Sequence, residues 1–173
     1  TAATALPDNS LETVCASCHQ SQIKDWQSSH HFHAMEKASE ASVLGDFNNV
    51  TLKYQNETVR FYKQGQQFYI DMPNLDGVIS SYPVAFTLGY KPLQQYMFGF
   101  GNGHFQFFPF AWDSRKATLG GQRWFILHPK QDTYDEFHWS QKGQNWNSMC
   151  ADCHSTDFKK NFDLESLTKE NKI

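Results

Sequence analysis

The stretch His104-Phe-Gln-Phe-Phe-Pro-Phe-Ala-Trp112 has no helical period and is dense in aromatic side chains. Residues of this kind favour a pleated, half-buried surface, so the stretch is expected to be a strand. The same composition recurs outward from it, in Tyr82-Pro-Val-Ala-Phe-Thr-Leu88, Phe68-Tyr-Ile70 and Val59-Arg-Phe-Tyr62. Turn residues fall between the runs: Gln64-Gly65-Gln66, Asn74-Leu-Asp-Gly77, Gly99 to Gly103 and Gly120-Gly121. Together they predict an antiparallel sheet of about five to seven short strands over residues 46–130. Aromatic residues make up 16% of the chain, 15 of them Phe, and core packing accounts for most of these rings.

On either side of the sheet the pattern turns helical. In residues 1–45, Asp8, Asn9 and Ser10 offer an N-cap, with Glu12 in the first turn where the helix dipole favours an acid. A second helical stretch is expected from Ser21 through Ile23, Trp26 and His30-His31-Phe32-His33 to Met35, with Gly45 as its C-terminal stop. Residues 131–173 return to loop and helix, with an acidic run from Asp132 to Glu136 and a basic pair at Lys159 and Lys160. The fold class expected is therefore α+β: one domain over 1–173, its helical N- and C-terminal segments set around an inserted antiparallel β-sheet.

Each helical end holds the same short motif, Cys15-Ala-Ser-Cys18-His19 and Cys150-Ala-Asp-Cys153-His154. Residues i, i+3 and i+4 share one face of a helical turn. Two thiols can thus bond one porphyrin edge while the adjacent imidazole reaches the iron, and Cys-x-x-Cys-His is read as c-type haem attachment for this reason. All four cysteines of the chain lie in the two copies. The expectation is two covalently attached haem c groups, on Cys15 and Cys18 and on Cys150 and Cys153, with His19 and His154 as axial iron ligands.

Other uses of the cysteines fit less well. A thioredoxin-like pair leaves the trailing histidines unexplained, and neither motif follows a strand of a βαβ unit. One zinc on all four thiols needs knuckles far beyond the usual spacing of about 15–20 residues. Plain disulfides are the remaining alternative. Two irons also need two further axial ligands, from His30, His31, His33, His104, His128, His138 or one of four methionines. Helical periodicity groups His30 and His33 with Ile23 and Trp26, and His31 with Gln27, Ala34 and Met35, and does not choose between the faces. Met149 stands too near Cys150 to fold back onto the same iron.

A formal charge of −3 does not point to nucleic acid. No run of 18 apolar residues exists, so no membrane span is expected. Thr1-Ala-Ala-Thr-Ala-Leu-Pro7 reads like the remnant of a cleaved signal peptide. Covalent haem is attached outside the bacterial cytoplasm, so a periplasmic location is expected.

Trp26 with Ser29, His31, Ala34 and Met35, then Leu93-Gln-Gln-Tyr96, Ala111-Trp-Asp-Ser-Arg115, Gly120-Gly-Gln-Arg-Trp-Phe125, His138-Trp139, Gln144-Asn-Trp-Asn147 and Met149-Cys-Ala-Asp-Cys-His-Ser-Thr156 carry a resemblance. The chain resembles bacterial multihaem c-type cytochromes whose larger members carry tetratricopeptide repeats. The resemblance implies His31 and His138 as the sixth ligands. Such proteins continue to a further Cys-x-x-Cys-His beyond the point where this chain stops, which implies a fragment or a shortened member. They often have Arg where His104 stands and His where Ile126 stands, with His128 two residues on.

The function expected is a periplasmic dihaem cytochrome relaying single electrons, with other redox proteins or a larger multihaem assembly as partners. The alternatives are a haem enzyme or gas sensor with one open iron, in which His104, His128, Arg115 and Arg123 would supply acid–base chemistry if gathered at a haem, and a docking module of a larger haem assembly.

Overall fold

The computed structural model describes residues 11–54, 56–100 and 103–154. The expected runs form strands, and eight are present among the described residues: β1 (Met35–Lys37), β2 (Val50–Tyr54), β3 (Glu57–Gln64), β4 (Gln67–Pro73), β5 (Ile79–Leu88), β6 (Leu93–Gly99), β7 (Phe105–Asp113) and β8 (Arg123–Ile126). They hydrogen-bond in the order β2-β3-β4-β5-β6-β7-β8, with β1 attached to β5, and every pair is antiparallel. Gly65, at φ 59, makes the two-residue turn between β3 and β4, where the tight hairpin needs a positive φ.

β5 is the pivot. Its first half pairs with β4 as far as Pro83, the residue with no N–H to give the ladder. After an irregularity between Val84 and Phe86, its second half pairs with β6 on one side and β1 on the other. The sheet curls from there until its two end strands, β2 and β8, approach each other. Phe61 of β3 stacks on Trp124 of β8 with ring centroids 3.9 Å apart. The result is a nearly closed, barrel-like sheet.

Alternation along the strands fills the interior: Val59 and Phe61, Phe68, Ile70 and Met72, Tyr96 and Phe98, Phe108, Phe110 and Trp112 are all buried there. Phe47, from the strap ahead of β2, lies in the middle, edge-on to Phe61, Phe68, Tyr96 and Trp124. Full burial of one such side chain contributes about 1.5–3 kcal/mol, so the stability of the domain resides in the sheet.

The α+β expectation is therefore corrected: the fold is mainly antiparallel β, with three short helices, α1 (Leu11–Ala16), α2 (Gln20–Gln27) and α3 (Ala151–His154), among the described residues. The stretch expected to run helically from Ser21 to Met35 stops at Gln27. Ser28 and Ser29 donate their hydroxyls to the carbonyls of Asp25 and Trp26, at 2.8 and 2.6 Å, which competes with helix continuation. Met35 is then taken by β5, opposite Leu88. Gly45 does not end a helix. It lets the strap pass beneath the barrel rings, where a Cβ would come within 2.6 Å of both Trp124 and the Tyr96 hydroxyl. The expected signal-peptide remnant at residues 1–7, the cap expected from Asp8, Asn9 and Ser10, the side chain of Glu12 and the pair Lys159 and Lys160 lie outside the described residues.

After β8 the chain returns along the edge of β7. Trp139 enters the interior core against Tyr82 and Phe98. Gln106 donates its amide to the carbonyls of Trp139 and Gln141, at 2.6 and 2.7 Å. The Phe105 amide donates to the Asn147 side chain, at 2.9 Å. Trp146 then packs on the opposite face of the sheet, against Phe107.

Candidate cofactor-attachment sites

At the first motif, the amides of Cys18 and His19 both donate to the Cys15 carbonyl, at 3.2 and 2.9 Å. That single turn joins α1 to α2 and gathers the two thiols and the imidazole. Cys15 is half-buried, while Cys18 and His19 are exposed. α2 buries none of its residues, and Trp26, edge-on to Phe32 at 4.9 Å, is the large apolar side chain beside the motif.

The clustered histidines separate by their partners. His33 stacks on Tyr90 at 4.6 Å and pairs through Nδ1 with Glu36 at 3.0 Å. His30 leans edge-on against the same Tyr90 ring. His31 is exposed, and its imidazole has no hydrogen-bond or ring partner among the described residues.

The second motif begins in a π-helical turn, Trp146–Cys150, that runs into α3. Such turns recur at functional sites. Asn145 caps the turn by accepting the Ser148 amide at 3.1 Å. Cys150 lies half-buried at the edge of a second apolar cluster built on Met97, Phe107, Trp146 and Ala151. Burial, and then the neighbouring Cys153, push its thiol pKa upward. Cys153 and His154 are exposed, with the His154 ring 6.2 Å from Trp146.

His138 is 2% exposed. Its Nδ1 lies 2.8 Å from the Ser140 hydroxyl, and its Nε2 is buried with no partner. Burial lowers its pKa, against the opposing pull of Asp132 and Asp135, and so favours the neutral ring that can ligate a metal. Its neighbour Trp139 is part of the interior core, whereas Cys150 packs on the outer cluster. Trp139 and Cys150 thus belong to opposite faces of the sheet.

All four cysteines are free thiols. Free thiols at i and i+3 with an imidazole at i+4, one unengaged imidazole at His31 and one orphaned buried nitrogen on His138 make a donor set that fits covalent haem. The fold does not gather the other candidates. His104 lines a cleft of about 500 Å³, His128 a crevice of about 10 Å³, and Arg115 and Arg123 a separate cleft of about 320 Å³. In the last of these, Arg115 binds Asp113 through both nitrogens of its fork and holds that carboxyl well down, at a pKa of about 2.

Sequence reasoning gave no role to the residues that fix the second motif to the sheet, Gln106, Asn145 and Asn147, although the last two stand in the Gln144-Asn-Trp-Asn147 string. A further signal was Gln106, a single amide inside the apolar run 104–112.

The family described as cytochrome c554 and c-prime matches residues 14–64, less than a third of the chain. The match takes in the first motif and supports a c-type cytochrome kinship, and with it covalently bound haem c and electron transfer. No curated protein and no solved structure matches the chain.

Proposed function

We propose that the chain is an exported, periplasmic c-type cytochrome domain that carries two covalent haems and relays single electrons between redox partners. The observation that carries this reading is the pair of Cys-x-x-Cys-His motifs, each with free thiols on one turn; the family match covers only the first. Haem iron supplies the Fe(III)/Fe(II) couple when bound. Cys15 and Cys18 tether one porphyrin and Cys150 and Cys153 the other. His19 and His154 hold the proximal axial positions.

His31 and His138 hold the distal positions. In favour of His31 is its unengaged imidazole, set against the Tyr90 contacts of His30 and His33. In favour of His138 is the buried Nε2 without a partner, because a buried polar nitrogen costs free energy until something binds it. Two histidines per iron leave no open coordination site. The scattering of His104, His128, Arg115 and Arg123 likewise favours relay over acid–base catalysis. Other redox proteins, or a larger multihaem assembly, are the partners. No helix among the described residues is long and apolar enough to cross a membrane.

The test is denaturing mass measurement on protein from a host able to mature c-type cytochromes. The expected mass is the chain plus two haems that survive acid-acetone extraction, and a bare polypeptide mass refutes the reading. A ferric spectrum with both haems low-spin supports relay. A high-spin fraction shifts weight to the open-iron alternative.

A further inference from the structure

The half-open cleft of about 500 Å³ lies where β5 changes partners, and its wall includes Phe86, Phe105, Val84, Lys37 and His104. Its volume falls within the range of about 300–1,000 Å³ that cofactor pockets span. Phe86 and Phe105 meet edge to face at 5.1 Å and are only half-buried. With Met35 and Leu88 they form the partly exposed border of the outer cluster. Cys150 belongs to that same border. A porphyrin bonded to the Cys150 sulfur is tethered within a bond or two of it, so the tether directs the macrocycle to this surface.

Charge agrees with this. Haem propionates are anionic, and Lys37 stands on the cleft wall with an exposed ammonium that has no hydrogen bond or ion pair among the described residues. A flat apolar wall with one free cation at its margin suits a flat apolar ring with anionic arms.

We infer that the cleft between β1, β5 and β7 seats the porphyrin attached at Cys150 and Cys153, with Phe86 and Phe105 against its face and Lys37 paired to a propionate. This inference rests on the proposed dihaem function. It assigns the outer face of the barrel, not its filled interior, as the wall of the second haem. Lys37 acts through the propionate and is a positioning residue.

The experiment is a potentiometric titration of Lys37→Glu, Phe86→Gln and, as a control for the charge change, Lys116→Glu. A cation near a haem favours the ferrous state, so Lys37→Glu lowers one of two potentials. Lys37→Glu changes the local charge by two units; each unit at about 10 Å and an effective dielectric of about 20 shifts the Fe(III)/Fe(II) ratio by roughly tenfold, so the replacement shifts it by about a hundredfold, and less where solvent screens it. Phe86→Gln admits water at the ring and moves the same step, with a changed Soret band. It replaces a half-exposed side chain, so the sheet tolerates it. Lys116→Glu leaves both steps in place. The step that moves is the one that His154→Ala perturbs. Two haems by mass, with both steps of Lys37→Glu and Phe86→Gln superimposed on the parent, overturn the cleft assignment and leave the dihaem reading standing. Movement of the step governed by His19 overturns it equally. A bare Cys150–Cys153 peptide in a proteolytic mass map removes both.

Discussion

Replacing Gln94 with Leu tests how the strap ahead of β2 is held to the barrel. Gln94 is fully buried on β6. Its carbonyl oxygen accepts from the Leu44 amide at 2.8 Å and the Tyr96 hydroxyl at 2.7 Å. Its amide donates to the carbonyls of Ser42 at 2.9 Å and Gly89 at 3.3 Å. Leu fills a similar volume and pairs with none of the four. A buried group left unpaired costs about 1–3 kcal/mol. The strap can lift toward water, so the low end applies and the sum is about 4 kcal/mol. The added apolar burial returns about 1 kcal/mol, leaving a loss of about 3 kcal/mol against a domain stability of about 5–15 kcal/mol. Tyr96→Phe is the comparison. It removes one hydroxyl that donates to Gln94 and accepts the Gly45 amide at 2.9 Å, and costs about 1–2 kcal/mol. Urea unfolding followed by far-ultraviolet circular dichroism measures both, with loss of stability read from the midpoint at constant slope. A Gln94→Leu cost below 1 kcal/mol, or one no larger than that of Tyr96→Phe, refutes the account of the strap.

Three further outcomes are expected. His19→Ala and His154→Ala each disturb the spectrum of one haem and spare the other; an unchanged spectrum in either variant removes that histidine from the iron. His31→Ala and His138→Ala each create a high-spin component and let about half of the reduced haem bind carbon monoxide, and strong binding by the parent protein counts against two filled distal positions. Phe110→Ala, at a fully buried site touching Tyr54 and Phe61, costs about 3–5 kcal/mol in the same urea assay, and a loss under 1 kcal/mol contradicts the barrel core.

The strands were legible because aromatic and β-branched runs suit a pleated, buried surface: Phe108, Phe110 and Trp112 lie in the interior along one continuous run. The turns at Gly65 and Gly77 were legible because each needs a positive φ. The length of the N-terminal helix was not, since Ser28 and Ser29 act through hydroxyl bonds that periodicity does not register, and Met35–Lys37 becomes a strand only because β5 offers an edge. The two Cys-x-x-Cys-His motifs proposed for attachment were legible from local spacing, which survives any tertiary context. A choice among the candidate distal histidines was not, because the Tyr90 ring that engages His30 and His33 lies more than fifty positions away.

The clasp formed by Trp139 and Trp146 has a consequence for self-association. Past its pairing with β8, the lower half of β7 would present unpaired amides and carbonyls, the template on which one chain adds a strand to another. The Gln106–Asn145 bridge and the Asn147 side chain occupy these groups. Trp139 grips the inside of the sheet and Trp146 the outside, so a foreign strand must displace two buried indoles to gain this border. The segment that delivers the second motif is thereby also the guard of the most aromatic of the described strands.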